Sequence, residues 1–154
     1  MKDLSPLIGC AGGWRGKNTL QDPHTGKPDD SAATALVTPV IGGRFIQMDY
    51  TWGYQGVPQE GSLLIGFDPK AETFSACWID SWHMGHKMMA CSGPQAAGST
   101  LSLSGSWAAP PGPDWGWRIE ITAEGGRTLR MAMFNIWPDG AREELAVEAA
   151  YTKV

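Results

Sequence analysis

Long apolar runs, basic clusters and paired cysteines are all missing from this sequence. No stretch of 18 apolar residues occurs, which excludes a membrane-spanning helix. Lys and Arg number 12 against 16 Asp and Glu, scattered along the chain, for a net charge of −4. Without a basic stripe there is nothing to neutralise a phosphate backbone or to attract an anionic bilayer. Nucleic acid and membrane surfaces are therefore not expected partners. The three cysteines, Cys10, Cys77 and Cys91, are odd in number, widely spaced and never Cys-x-x-Cys. That is no disulfide framework, and it points to a reducing cytoplasm. Leu7-Ile8-Gly9-Cys10 looks like a lipoprotein cleavage box. Asp3, Ser5 and Pro6 break the apolar run of about 7–15 residues that such a signal needs. Catalytic signatures are also lacking: there is no Gly-x-Ser-x-Gly elbow, no phosphate loop and no His-Glu-x-x-His.

What is present is turn chemistry and tryptophan. The 154 residues hold 20 Gly, 11 Pro and 8 Trp. Turn clusters at 21–30, 42–43, 54–61, 68–72, 84–85, 93–99, 109–114, 124–126 and 138–141 separate short runs rich in Val, Ile, Thr, Phe, Tyr and Trp. Such spacing reads as antiparallel strands. Ten are expected, at 13–20, 31–41, 44–53, 61–67, 72–82, 86–92, 100–107, 115–123, 127–137 and 141–152. Residues 4–10 read as a short helical plug. The last segment has helix-forming composition, but Leu145, Val147 and Ala149 alternate with Glu144, Ala146, Glu148 and Ala150, so strand is preferred. Ten strands joined by short connections close most economically into an all-β, antiparallel, up-and-down barrel, a single domain over 1–154. A barrel of more than eight strands usually encloses a cavity.

Gly12-Gly13-Trp14 resembles the Gly-x-Trp motif of the first strand in the calycin superfamily: lipocalins, fatty-acid-binding proteins and nitrobindin-like barrels. The resemblance implies that Trp14 closes one barrel end beneath a basic side chain from a late strand. Arg118, Arg130 and Lys153 are the candidates. A longer set runs Trp14-Arg15-Gly16, Gly42-Gly43-Arg44-Phe45, Gly66-Phe67-Asp68, Trp78-Ile79-Asp80-Ser81-Trp82-His83 and Gly93. In order and spacing it is similar to the bacterial family catalogued as domain of unknown function 1579, over about residues 9–151. It implies a lipocalin-like closed barrel and brings no function with it. Nitrobindin-like barrels bind haem through a histidine from their C-terminal part. This chain has no histidine after His86, leaving only His83, Met131 or Met133 as axial donors. Haem is not expected.

Strand alternation assigns the candidate site. Met48, Tyr50 and Trp52 share one face of the third strand; Trp78, Asp80 and Trp82 share one face of the fifth. Trp117 on the eighth strand, Met131 and Met133 on the ninth, and Met88 complete an aromatic and methionine lining. Such walls suit an apolar or planar ligand. Asp80 on an inner face must be paired or hydrogen-bonded. It could anchor a polar head or accept a proton, with His83 fixing the ligand or orienting Asp80. Asp80, His83, His86 and Cys91 are zinc-ligand types, but one hairpin converges only the residues of one face, so no metal site is expected. The leading expectation is a non-enzymatic binder of a small hydrophobic molecule, with a homodimer compatible. The alternatives are a small enzyme using Asp80 and His83, and a ligand-free structural or interaction barrel.

Overall fold

The computed structural model describes all 154 residues, Met1–Val154. One short helix, α1 (Ser5–Gly9), precedes ten strands. These are β1 (Gly12–Gln21), β2 (Pro28–Val40), β3 (Phe45–Tyr54), β4 (Val57–Asp68), β5 (Thr73–Asp80), β6 (Met89–Pro94), β7 (Thr100–Trp107), β8 (Trp115–Glu124), β9 (Thr128–Ile136) and β10 (Glu143–Lys153). Each strand pairs antiparallel with the next, and β1 closes the ring on β10. Alternation fixes which face turns inward. In β3, Ile46, Met48, Tyr50 and Trp52 are buried while the residues between them are not. A slip of one residue would turn that whole row to solvent.

Strand β5 ends at Asp80 rather than 82, β6 runs Met89–Pro94 rather than 86–92, and two further features depart from the expected pattern. Residues 54–61 are not one long turn: the hairpin is only Gln55-Gly56, both at positive φ (48° and 80°). A two-residue turn of that hand matches the strand twist, so Pro58 and Gly61 fall inside β4. In β10 the alternation breaks at a bulge between Leu145 and Val147. Ala146 and Val147 are both buried and Leu145 is half-buried, because one extra residue shifts the pleat.

One end of the barrel is sealed. Leu7 of α1 is buried beside Met1, Cys10 and Trp14. The terminal ammonium donates to the carbonyls of Ala96 (2.7 Å) and Thr100 (2.9 Å). Trp14 Nε1 donates to Cys10 O at 2.8 Å. Lys153 is the basic cover: its Nζ stands 4.8 Å above the Trp14 ring and donates to Cys10 O at 3.2 Å and to Ala11 O. Gly12 beneath it has φ 111°, a backbone conformation that favours glycine. Arg118 and Arg130 instead pair outside with Glu120, Glu143 and Glu148.

The barrel centre is packed rather than hollow. Met48, Met131 and Met133 are each about 1% exposed within a core of 32 buried residues. They line none of the principal cavities. The two cavities bordered by His83 lie toward the end opposite Trp14.

Lys153→Met keeps the aliphatic stem but loses the charge over Trp14 and its hydrogen bonds. Urea unfolding should show a loss of about 1–2 kcal/mol. Arg130→Met, on an exposed pair, should stay within about 0.5 kcal/mol of the parent.

Candidate functional site

The open end is organised by one carboxylate. Asp80 is the last residue of β5 and is 3% exposed. Its Oδ2 accepts from Tyr50 Oη at 2.9 Å and Trp52 Nε1 at 3.2 Å, both from β3. Its Oδ1 accepts from the backbone N–H of Trp82 (2.9 Å) and of His83 (2.8 Å), and His83 Nδ1 lies at 3.1 Å. Trp78 Nε1 donates in turn to Tyr50 Oη at 2.8 Å. An aspartate that captures the amides two and three residues on starts its own turn. This one ends β5 and folds His83 back over the barrel. Gly61 makes the approach possible: it pairs with both Tyr50 and Asp80, and a Cβ there would sit 2.3 Å from Tyr50 Oη.

The electrostatics follow from burial. Loss of water pushes the Asp80 carboxyl up, but the His83 imidazole and amide and the Tyr50 hydroxyl outweigh it, and the net shift is down from 3.8. Burial first, and then the Asp80 charge, push the Tyr50 phenol well above its ordinary value. Tyr50 therefore stays a donor and Asp80 stays ionised. An ionised carboxylate only accepts, so His83 Nδ1 carries a proton, and the neutral ring has its lone pair on Nε2. That Nε2 is buried and has no partner.

Four indoles surround the imidazole. Ring centroids lie at 4.7 Å for Trp82, 5.5 Å for Trp52, 5.6 Å for Trp117 and 5.8 Å for Trp78. Trp117 also stacks on Trp78, 5.4 Å apart and 11° from parallel. Trp107, Trp115 and Trp137 form a second row at the rim, with centroids 5.8 and 4.7 Å apart. With Trp14 at the sealed end, all eight tryptophans are placed.

Two cavities meet at His83. The larger, about 490 Å³, lies toward β6 and β7 and includes Met84, Met88, Met89 and Trp107 in its wall. The smaller, about 240 Å³, lies toward β1 and β10 and includes Leu20, Asp22 and Leu145. Pro23, Trp82, His83, Trp117 and Asn135 border both. A third hollow, about 540 Å³, lies beside β2–β5, where Leu36 and Ile79 are exposed.

Tyr50, Trp52, Trp78, Asp80, Trp82, His83 and Trp117 thus come together as the alternation suggested. Met88 does not face the interior. It is 73% exposed on the rim, and Met89 takes the buried position, because the 81–88 connection is a series of turns and not a continuing strand. Met48, Met131 and Met133 are core, and Gly12 and Trp14 lie at the far end. His86 is exposed while His83 is caged, so the two do not converge. The buried Cys91 thiol is pushed up to about 11 by burial and by Cys77. Asn135 was not singled out as a site residue. Its signal was a polar side chain following Met131 and Met133 on the inner face of β9. The axial histidine implied by the nitrobindin-like resemblance does not fit: β8, β9 and β10 contain none, and the Trp78–Trp117 stack fills the space between β5 and β8.

The family model described as "Protein of unknown function (DUF1579)" matches residues 5–153. The chain belongs to this family. No curated protein matches it. Among solved structures, the crystal structure of Rv2717c from M. tuberculosis is similar, with a TM-score of 0.68 at 13% identity. The match covers 98% of this chain and 96% of that one. At that identity the likeness shows the fold alone. No helix of this DUF1579 barrel is long and apolar enough to cross a membrane.

Because the Asp80 carboxyl is held below its unfolded value, its contribution to stability is complete above about pH 5. It is lost as pH falls through the folded value. Urea midpoints of the parent should therefore drop steeply on acidification below pH 4. Asp80→Asn should lose about 2–3 kcal/mol at pH 7 and show a flatter acid slope; an unchanged slope would remove Asp80 from this role.

Proposed function

We propose that this barrel binds a small, planar, largely apolar molecule at its open end, with His83 Nε2 as the polar anchor. One observation carries the reading. A buried ring nitrogen is fixed by a buried carboxylate and left without a partner inside an aromatic cage. An unpaired buried acceptor costs about 1–3 kcal/mol, and a barrel shaped by packing alone would place Phe or Leu there. The larger cavity has the size common for small-molecule sites, roughly 300–1,000 Å³. Indole walls on two sides favour a flat ligand. Lys153 over Trp14 supports the calycin-like reading of the barrel, and three free thiols support a cytoplasmic setting.

The same dyad favours a second reading. A histidine oriented by a carboxylate is the arrangement of a general base. A protein nucleophile is not in place for it: Ser81 Oγ is tied to Gln59 Oε1 and to the Glu60 amide. An enzyme built here would take a proton from the bound molecule itself.

Native mass spectrometry of freshly purified, unheated protein, with an absorbance scan, tests the binder. An adduct that leaves on denaturation is expected, without a Soret band. Asp80→Asn should weaken retention by about tenfold. An enzyme would instead hold no adduct and lose turnover in that variant. A clean apo mass, together with no binding across a panel of planar compounds, would overturn the binding reading.

A further inference from the structure

Resting on that binding reading, we propose that the polar edge of the ligand is read by three atoms: His83 Nε2, Trp117 Nε1 and Asn135 Oδ1. The ligand class is then a neutral planar molecule with a hydrogen-bond donor beside an acceptor, as in a lactam or a phenol. A carboxylate such as a fatty acid is excluded.

Four buried side-chain polar atoms in the whole chain lack a partner, and three of them are these. The fourth, Asn18 Nδ2, belongs to β1. The three are neighbours. The His83 and Trp117 rings are 5.6 Å apart, and Trp117 stands opposite Asn135 in the β8–β9 ladder. All three residues border both cavities. Trp117 is 4% exposed, and the atoms themselves are shut off from water. A packed protein leaves few such groups unpaired. Three side by side, where two cavities meet, mark the place where another molecule completes the pairing. Trp82 and Pro23 are the other residues shared by the two cavities.

The donor and acceptor pattern sets the chemistry. Trp117 Nε1 only donates and Asn135 Oδ1 only accepts. With Nδ1–H held by Asp80, the neutral His83 ring accepts at Nε2. A carboxylate offers acceptors alone: it would satisfy the indole and face two lone pairs, with the Asp80 charge behind one of them. An ammonium would leave the indole unmet. A lactam N–H and C=O, or a phenol O–H, satisfies both kinds of site. Lys87, the one Lys or Arg bordering either cavity, is exposed at the rim of the larger.

Three probes of one shape test this by calorimetry: 2-quinolinone, N-methyl-2-quinolinone and 2-naphthoate. The first should bind tighter than either of the others by about tenfold or more. That preference should collapse in Asn135→Leu. A ligand-free measurement accompanies it. Asn135→Leu removes an unpaired acceptor, so its melting temperature should rise by about 2–4 °C. Equal affinities for all three probes, or tightest binding of 2-naphthoate, would overturn the polar edge and leave the cavity reading standing. A fall in the melting temperature would make Asn135 a structural residue and overturn the proposal from the other side. No binding by any probe would overturn the open end as a site, and the proposal with it.

Discussion

Removing a carboxylate from water costs several kcal/mol unless its lone pairs find donors, and Asp80 meets five donors at the end of β5. Much of the open end is arranged by that requirement. Two donors come from β3, which fixes Tyr50 and Trp52 against β5 across the intervening β4. Two are amides of the chain just past Asp80, which turns the backbone and brings His83 inward. Gly61 of β4 must lack a side chain for the Tyr50 hydroxyl to arrive. A single buried charge thus sets strand register, turn position and the orientation of an imidazole.

The two ends divide stability from chemistry. At the sealed end the polar groups are paired around the plug: Trp14 and Lys153 share the carbonyl of Cys10, and the terminal ammonium caps two carbonyls. The centre is filled by methionine, isoleucine and leucine without a cavity of note. At the open end aromatic area is just as dense, yet three polar atoms stay unpaired. Aromatic packing does not demand polar groups among the rings. Their retention there, beside a neighbouring region packed without them, is where this chain gives up stability.

Strand number, the closed order, the plug and the inner face were legible because period-two alternation and Gly/Pro turns are local signals. Lys153 could not be separated from Arg118 and Arg130 by sequence, since only the β1–β10 closure shows which cation reaches Trp14. The β10 bulge and the turns after Asp80 were illegible for a related reason: both interrupt the pleat without changing composition. The turns leave Met88 outside, and the bulge buries Ala146 beside Val147. Asp80 and His83 were readable as types. That His83 orients Asp80 was among the expectations; how they meet was not legible, because only the aspartate's own turn brings position 83 back to position 80.

The Trp78–Trp117 stack decides why a barrel of ten strands is neither empty nor full. These indoles come from β5 and β8 and stack face to face inside the barrel. Below them the methionine and aliphatic core is continuous. Above them His83 rests against both rings, and the two cavities open around it. Two in contact make a floor. They turn a wide barrel into a bowl whose unpaired polar spots are the imidazole that Asp80 holds, the Trp117 indole N–H and the Asn135 carbonyl.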